Sequence, residues 1–515
     1  MDYLLALDQG TTSSRAIIFD TNGQIKANVQ QEISIKTPHA GWVEQDAQEL
    51  WNSQIGVAQQ AMAAAGLLAQ DIAAIGLTNQ RETTVVWNKK TGKPIAPAIV
   101  WQDRRTAEWC EQQRQRMDEH ALHQTTGLRL DPYFSAGKLV WLLEHIPNAR
   151  MLADQGDLAF GTVDSWLVWN LTRGEQHVID MSNASRTLLM DIQTQAWDQK
   201  LLDYFNIPSS VLPTIVPSGG LIGYTADGLL GRKVPICAAI GDQQSALFGQ
   251  GCFKAGLAKN TYGTGCFMLM NTGYELKYSQ HQLLTTLAWQ APNQAPQYAL
   301  EGSVFMAGAI VQWLRDGLGI IQKSSDVETL AKQVKDTDGV IMVPAFTGLG
   351  APYWDSEARA MLTGMTRGTN RCHIARAALE AIAFQVADVL VAMQQDAPIP
   401  LTELRVDGGA SCNDMLMQFQ ADLLGVPVLR PKFHETTALG TALMAGLGVG
   451  LFNNTEEIEH IWQLDRSFEP NMSVDERDNY LFNWHQAVAK TRTQPAGYGF
   501  ACLSLKLLMN RSFIA

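Results

Sequence analysis

The chain opens on two apolar runs of strand length, residues 4–7 (LLAL) and 16–19 (AIIF), on either side of a small polar turn at 10–14. That pattern predicts a β-hairpin over residues 3–20. A second turn at 21–23 (TNG) and an extended run at 24–33 add a third strand, so the chain begins as a β-meander. A helix follows from an N-cap at Asp46 to about Ala65. Residues 72–78 read as a buried strand, 85–87 as resumed extended structure and 99–101 as another strand, with a charged helix from about Arg104. Residues 135–145 and 164–171 carry helical apolar spacing.

The second half repeats the theme. Residues 234–240 predict a strand ending in the polar segment 241–245 (GDQQS), and helix begins at 246–251. Two further strands, 257–261 and 266–270, flank Tyr262-Gly263-Thr264-Gly265 as a second copy of the first hairpin. Helices at about 308–318 and 373–393 precede a short strand, 404–406, that ends in Asp407-Gly408-Gly409-Ala410, with a helix from about Asn413. A meander followed by alternating strand and helix, given twice, predicts an α/β protein of two domains. The repeat places their boundary near 246, giving 1–246 and 247–493, with 494–515 as a divergent tail. A length of 515 residues suits two domains.

Bulk properties narrow the partners. A net charge of −12, from 39 basic and 51 acidic residues, argues against nucleic acid or an anionic membrane. There is no run of 18 apolar residues, so no integral membrane segment is expected. Seven scattered cysteines without CxxC spacing read as reduced thiols in a cytoplasmic protein.

The first turn carries chemistry. Gly10 permits a sharp bend, Thr11, Thr12, Ser13 and Ser14 offer hydroxyls and N–H groups, and Arg15 adds a cation. Such a turn suits a phosphate chain, with Asp8 facing a metal, or it is an ordinary polar hairpin. It is not a Walker loop, since no GK[ST] is present and a strand follows.

Three acid- and glycine-bearing turns stand in order at strand ends: DQGTT (8–12), GDQQS (241–245) and DGGA (407–410). Two longer stretches, YFSAGKLVWLLEH (133–145) and AMLTGMTRGTNRCHIARAALE (360–380), resemble the two signatures of the FGGY carbohydrate kinases. ALDQGTTSSR (6–15), TNQRETT (78–84), IVWQ (99–102), IGDQQSALFGQ (240–250), NTYGTGCFMLMNTG (260–273) and VPAFTGLGAPYWD (343–355) are most similar to the members that phosphorylate glycerol. The resemblance covers roughly residues 3–490.

It implies two actin-like (ribonuclease H-like) domains flanking an ATP and substrate cleft, Mg²⁺-dependent transfer from ATP to glycerol, and a homo-dimer or homo-tetramer. Arg81 and Glu82, alone an ordinary surface ion pair, would bind the polyol hydroxyls with Tyr133. Trp101 and Phe267, alone core aromatics, would form the apolar wall. Asp242, alone a helix cap, would be the general base, with Gln243 on the neighbouring hydroxyl. Thr11, Thr12, Ser13 and Arg15 would hold phosphate and Asp8 would take Mg²⁺ largely through water. Thr264, Gly308 and Gln312 would meet the diphosphate and ribose, and Gly409 and Asn413 the nucleoside.

Regulated relatives bind fructose 1,6-bisphosphate on a longer glycine-rich loop than residues 226–233 supply here. No histidine lies in 219–236, which argues against regulation by histidine phosphorylation. A pentulose kinase of the same family, or an actin-like or Hsp70-like assembly protein, is the competing expectation.

Overall fold

The computed structural model describes residues 2–355 and 357–493. Its frame is two sheets. The strands of the first are β1 (Tyr3–Gln9), β2 (Ser13–Asp20), β3 (Ile25–Glu32), β4 (Ile72–Asn79), β5 (Gly219–Tyr224) and β6 (Pro235–Gly241), in the spatial order β5-β6-β4-β1-β2-β3. Those of the second are β7 (Ala258–Tyr262), β8 (Cys266–Gly273), β9 (Leu284–Trp289), β10 (Gln297–Val304), β11 (Leu404–Asp407), β12 (Val428–Pro431) and β13 (Leu464–Phe468), in the order β9-β10-β8-β7-β11-β12-β13.

The two sheets share one plan. In the first, the antiparallel meander β3-β2-β1 is extended by the parallel strands β4 and β6. In the second, β10-β8-β7 is antiparallel and β11 and β12 add parallel to it. The internal repeat seen in the sequence is therefore a repeat of topology. The meander closes as expected: Asp20 Oδ1 accepts from the N–H groups of Asn22 and Gln24, and Gly23 takes the left-handed turn at φ 74°.

Helices fill three layers. On the outer face of the first sheet lie α1 (Ala47–Ala65), capped by Asp46 onto Gln48 N–H, and α3 (Val163–Leu171); α2 (Ser135–His145) packs in a neighbouring apolar cluster. On the outer face of the second sheet lie α5 (Gly308–Asp316), α6 (Arg371–Asp396) and α7 (Asp414–Leu424). Between the sheets run α4 (Asp242–Gly249) and α8 (Thr436–Gly448), whose apolar sides join strand residues Ala6, Ile17, Ala74 and Ile240 with Leu269 and Ala299 in one buried layer. The layer is tight. A Cβ at Gly440 would stand 1.9 Å from Ser245 O, one at Gly249 2.0 Å from Thr436 O, and one at Gly76 2.3 Å from Thr441 O.

Three sequence expectations are corrected. The strand placed at 99–101 is only Ala98–Ile99, and Trp101 stands in a turn. The charged helix begins at Ala107, because Asp103 first ties up the N–H and guanidinium of Arg105. Most consequentially, the helix placed at 246 begins at Asp242 itself, so the polar segment is the first turn of a helix. The expectation for 494–515 falls outside the described residues. Among the described residues no helix is long and apolar enough to cross a membrane.

Candidate active site

The ends of β1, β4, β6 and β7 open on a common cleft. At the end of β4, Arg81 is buried and surrounded by acids. Its Nη1 and Nη2 meet Glu301 Oε2 and Oε1 at 2.5 and 2.9 Å, and its Nε lies 3.4 Å from Asp242 Oδ1. Glu82 accepts from Arg186 Nε at 2.7 Å, and Arg186 Nη2 donates to Glu301 Oε1 at 2.9 Å. Charges thus alternate through Glu82, Arg186, Glu301 and Arg81, none more than 2% exposed. Burial opposes ionisation of Glu301, yet Arg186 and Arg81 outweigh it and hold the carboxyl down at about 2. Glu82 has a positive φ of 58°, and its carbonyl accepts from Ser135 Oγ and Thr84 Oγ1.

Asp242 starts α4 and keeps a partly open side chain, 28% exposed. Its Oδ1 accepts from Gln243 N–H at 2.7 Å. Burial pushes its carboxyl up to about 6; Glu82 adds to the rise, while Arg81 and Lys259 pull against it. A carboxylate near neutrality beside a cleft suits proton abstraction.

Three aromatic rings wall this corner. Trp101 packs edge-on against Tyr133, with centroids 5.7 Å apart, and against Phe267 at 6.2 Å. Trp101 and Tyr133 come from the first half of the chain and Phe267 from β8, so the wall spans both. The loop carrying Tyr133 is fixed by buried Lys138, whose Nζ donates to the carbonyls of Pro132, Tyr133 and Phe134.

The first hairpin turn adjoins the wall, because Trp101 Nε1 donates to Thr11 Oγ1 at 2.9 Å. Thr12 is exposed and Ser13 half-buried at the same tip. Asp8 and Arg15 face each other across the β1–β2 register. Burial pushes the Asp8 carboxyl up to about 7, with Asp242 and Glu435 adding to the rise against Arg15. Arg15 pairs with Glu435 from the far side of the cleft, and its buried Nε has no hydrogen-bond partner among the described residues.

The second hairpin turn packs on the start of α5. Gly308 N–H donates to Gly263 O at 2.9 Å, and Ala307 and Ala309 N–H to Thr264 O at 2.9 and 3.1 Å. Thr264 is exposed at that helix N-terminus, with Gln312 one turn along the same helix. Gly408, at φ 84°, sits against Tyr262 O, and the adjoining Gly409 faces open space. Asn413 Oδ1 caps α7 through Leu416 N–H.

The structure therefore gathers Arg81, Glu82, Asp242, Gln243, Trp101, Tyr133 and Phe267 in one corner, with Asp8, Thr11, Thr12, Ser13 and Arg15 beside it. Thr264, Gly308, Gln312, Gly409 and Asn413 form a second group on the opposite half. Sequence reasoning missed Glu301, Arg186, Lys259 and Glu435. The first three carried a signal: an ionisable residue inside a strand or turn that is otherwise apolar or small needs a buried partner.

Two sheets of one plan, each offering a hairpin turn, with a carboxylate and an aromatic wall between them, have the layout of the actin-like (ribonuclease H-like) ATPase fold. The chain belongs to the FGGY family of carbohydrate kinases: the model of that family's N-terminal domain matches residues 3–249 and that of its C-terminal domain residues 258–449. It is 67% identical to a glycerol kinase of Acinetobacter baylyi, over 96% of this chain and 99% of that protein. It is 59% identical to one from Deinococcus radiodurans, over 95% and 97%. Among solved structures it is similar to the Plasmodium falciparum glycerol kinase with ADP, at a TM-score of 0.91 and 37% identity over 96% of this chain and 99% of that one.

Proposed function

We propose that the protein transfers the γ-phosphoryl group of ATP to glycerol, giving sn-glycerol 3-phosphate and ADP, with Asp242 as general base. The observation that carries this reading is the corner where Asp242 meets Arg81 and Gln243 beneath the Trp101–Tyr133–Phe267 wall, next to the Thr11–Ser13 turn. A polyol needs hydroxyl-specific contacts within apolar walls, and that corner supplies both.

Arg81 donates to substrate oxygens while Glu301 holds its guanidinium. Asp242 takes the proton of the terminal hydroxyl as its oxygen attacks the γ-phosphorus in line with the departing ADP oxygen. Thr11, Thr12, Ser13 and Arg15 bind and orient the phosphates, and the unused Arg15 Nε fits an anion there. Thr264 and the N-terminus of α5 face the diphosphate, with Gly308 and Gln312 near the ribose and Gly409 and Asn413 at the nucleoside. Asp8 fits Mg²⁺, because burial, with Asp242 and Glu435 nearby, raises its carboxyl in spite of Arg15, and a further cation would favour the charged form. Asp8 would hold Mg²⁺, largely through water, and the ion would supply charge neutralisation at the transferring phosphates.

A cytoplasmic location belongs to this reading, supported by six free cysteines among the described residues, as does assembly into a homo-dimer or homo-tetramer, which sedimentation checks. The reaction itself is tested by Mg²⁺-dependent ADP release with glycerol, xylulose, ribulose and no acceptor, for the wild type and Asp242→Asn. Glycerol-dependent release that collapses in the variant is expected. Preference for a pentulose, or equal release without acceptor, overturns the assignment.

A further inference from the structure

Lys259 contacts no reacting group in the chemistry above, although its charge favours the ionised form of Asp242, and it is wholly buried. It lies on β7, and its Nζ donates to Gln243 Oε1 on α4 and to Thr261 Oγ1 at 2.9 Å. A buried ammonium is expensive to keep unless it holds something in place. Burial lowers its pKa to about 8, against Asp407 and Asp242, which favour the charged form.

The chemistry of this contact fixes an orientation. An ammonium carries donors only, so the Gln243 atom it meets is the carbonyl oxygen. The other end of the amide, its NH₂ group, then remains for a ligand. Gln243 is half-buried, and that NH₂ makes no hydrogen bond among the described residues. It follows Asp242 directly, at the first turn of the same helix.

We propose that Lys259 is a positioning residue for the acceptor alcohol: it anchors Gln243 by its carbonyl oxygen and so presents the amide NH₂ as a donor to the hydroxyl oxygen next to the reacting one. The inference rests on the glycerol reading of this corner. In glycerol that neighbour is the central hydroxyl, and 1,3-propanediol lacks it. Lys259 thus contributes to acceptor selection without touching the acceptor.

The test uses the full chain with Mg²⁺ and ATP. Glycerol kcat/KM and the competitive inhibition constant of 1,3-propanediol are measured for the wild type, Lys259→Met, Gln243→Met and the double variant. Each single variant is expected to lower glycerol kcat/KM roughly tenfold. The double variant is expected to be no worse than either single one, and the 1,3-propanediol constant and the KM for ATP to change less than about twofold. Additive losses, an equal loss for both alcohols, or unchanged glycerol kinetics in Lys259→Met overturn the proposal. If Lys259→Met does not fold, Gln243→Glu keeps the partner of Lys259 and removes the donor. It is expected to lose glycerol kcat/KM selectively, and full activity in that variant overturns the proposal. Wild-type protein without glycerol turnover overturns the kinase reading instead, and that control is read before any variant.

Discussion

Glu301 takes both terminal nitrogens of Arg81, although the two residues stand 220 positions apart, Glu301 within a strand of the second sheet and Arg81 just past the end of a strand of the first. The pair is bidentate and buried, which fixes the plane of the guanidinium. Glu301→Gln keeps the shape but leaves Arg81 and Arg186 short of negative charge. Breaking a buried pair in this way is expected to cost roughly 3–5 kcal/mol of stability. At a temperature where the variant is still folded, glycerol kcat/KM should fall at least about tenfold with the KM for ATP unchanged. Thermal melts and steady-state kinetics check both.

On the proposed mechanism, Asp242 sets the pH profile. Its carboxyl sits at about 6 rather than at the usual 3.8, chiefly through burial. Since the base must be ionised, kcat/KM should rise through pH 6 and level off above it. Asp242→Asn should remove that limb together with about 10²–10⁴ of the rate. The stability sign is opposite. A carboxyl raised in the folded state binds its proton more tightly there than when unfolded, so stability falls as pH rises from 3.8 to about 6 and the full loss is present above that. Asp242→Asn should therefore melt later at pH 8, by on the order of 1 kcal/mol.

Arg15 and Glu435 form a half-exposed pair across the cleft. Such pairs contribute little stability, about 0–1 kcal/mol. Glu435→Gln should therefore leave the melting temperature nearly unchanged. Arg15→Ala should lower kcat by about 100-fold or more, because the cation is needed where phosphate charge moves. Equal effects of the two substitutions would assign Arg15 to tethering alone.

Gly440 tests the central layer. A methyl group there meets the Ser245 carbonyl at 1.9 Å, and backbone has no easy way to yield. Gly440→Ala should lose roughly 3 kcal/mol or more, read as soluble yield and melting temperature.

Much of this was legible in the residues. The meander and its repeat followed from the apolar runs and turn residues, because hairpin signals are local. The corner built from Arg81, Asp242 and Trp101 was legible through the family motifs. What escaped was long-range pairing: Glu301 sits in a strand that nothing local links to Arg81, and Glu435 reaches Arg15 only once both halves are folded. The start of α4 was misplaced because Asp242, Gln243 and Gln244 read as turn residues. Their polarity answers to partners elsewhere, namely Arg81, Lys259 and the carbonyl of Leu287.

The glycine contacts between α4 and α8 have a mechanical consequence. Points near the axis of a hinge turn without travelling, whereas points far from it sweep an arc. Asp242 heads the helix that is locked into the seam between the sheets, while the turns at Thr12 and Thr264 belong to the hairpins of opposite sheets. A rocking of the halves about that seam would move the two hairpin turns, proposed to hold phosphate, relative to each other, with Asp242 staying nearly still at the fulcrum.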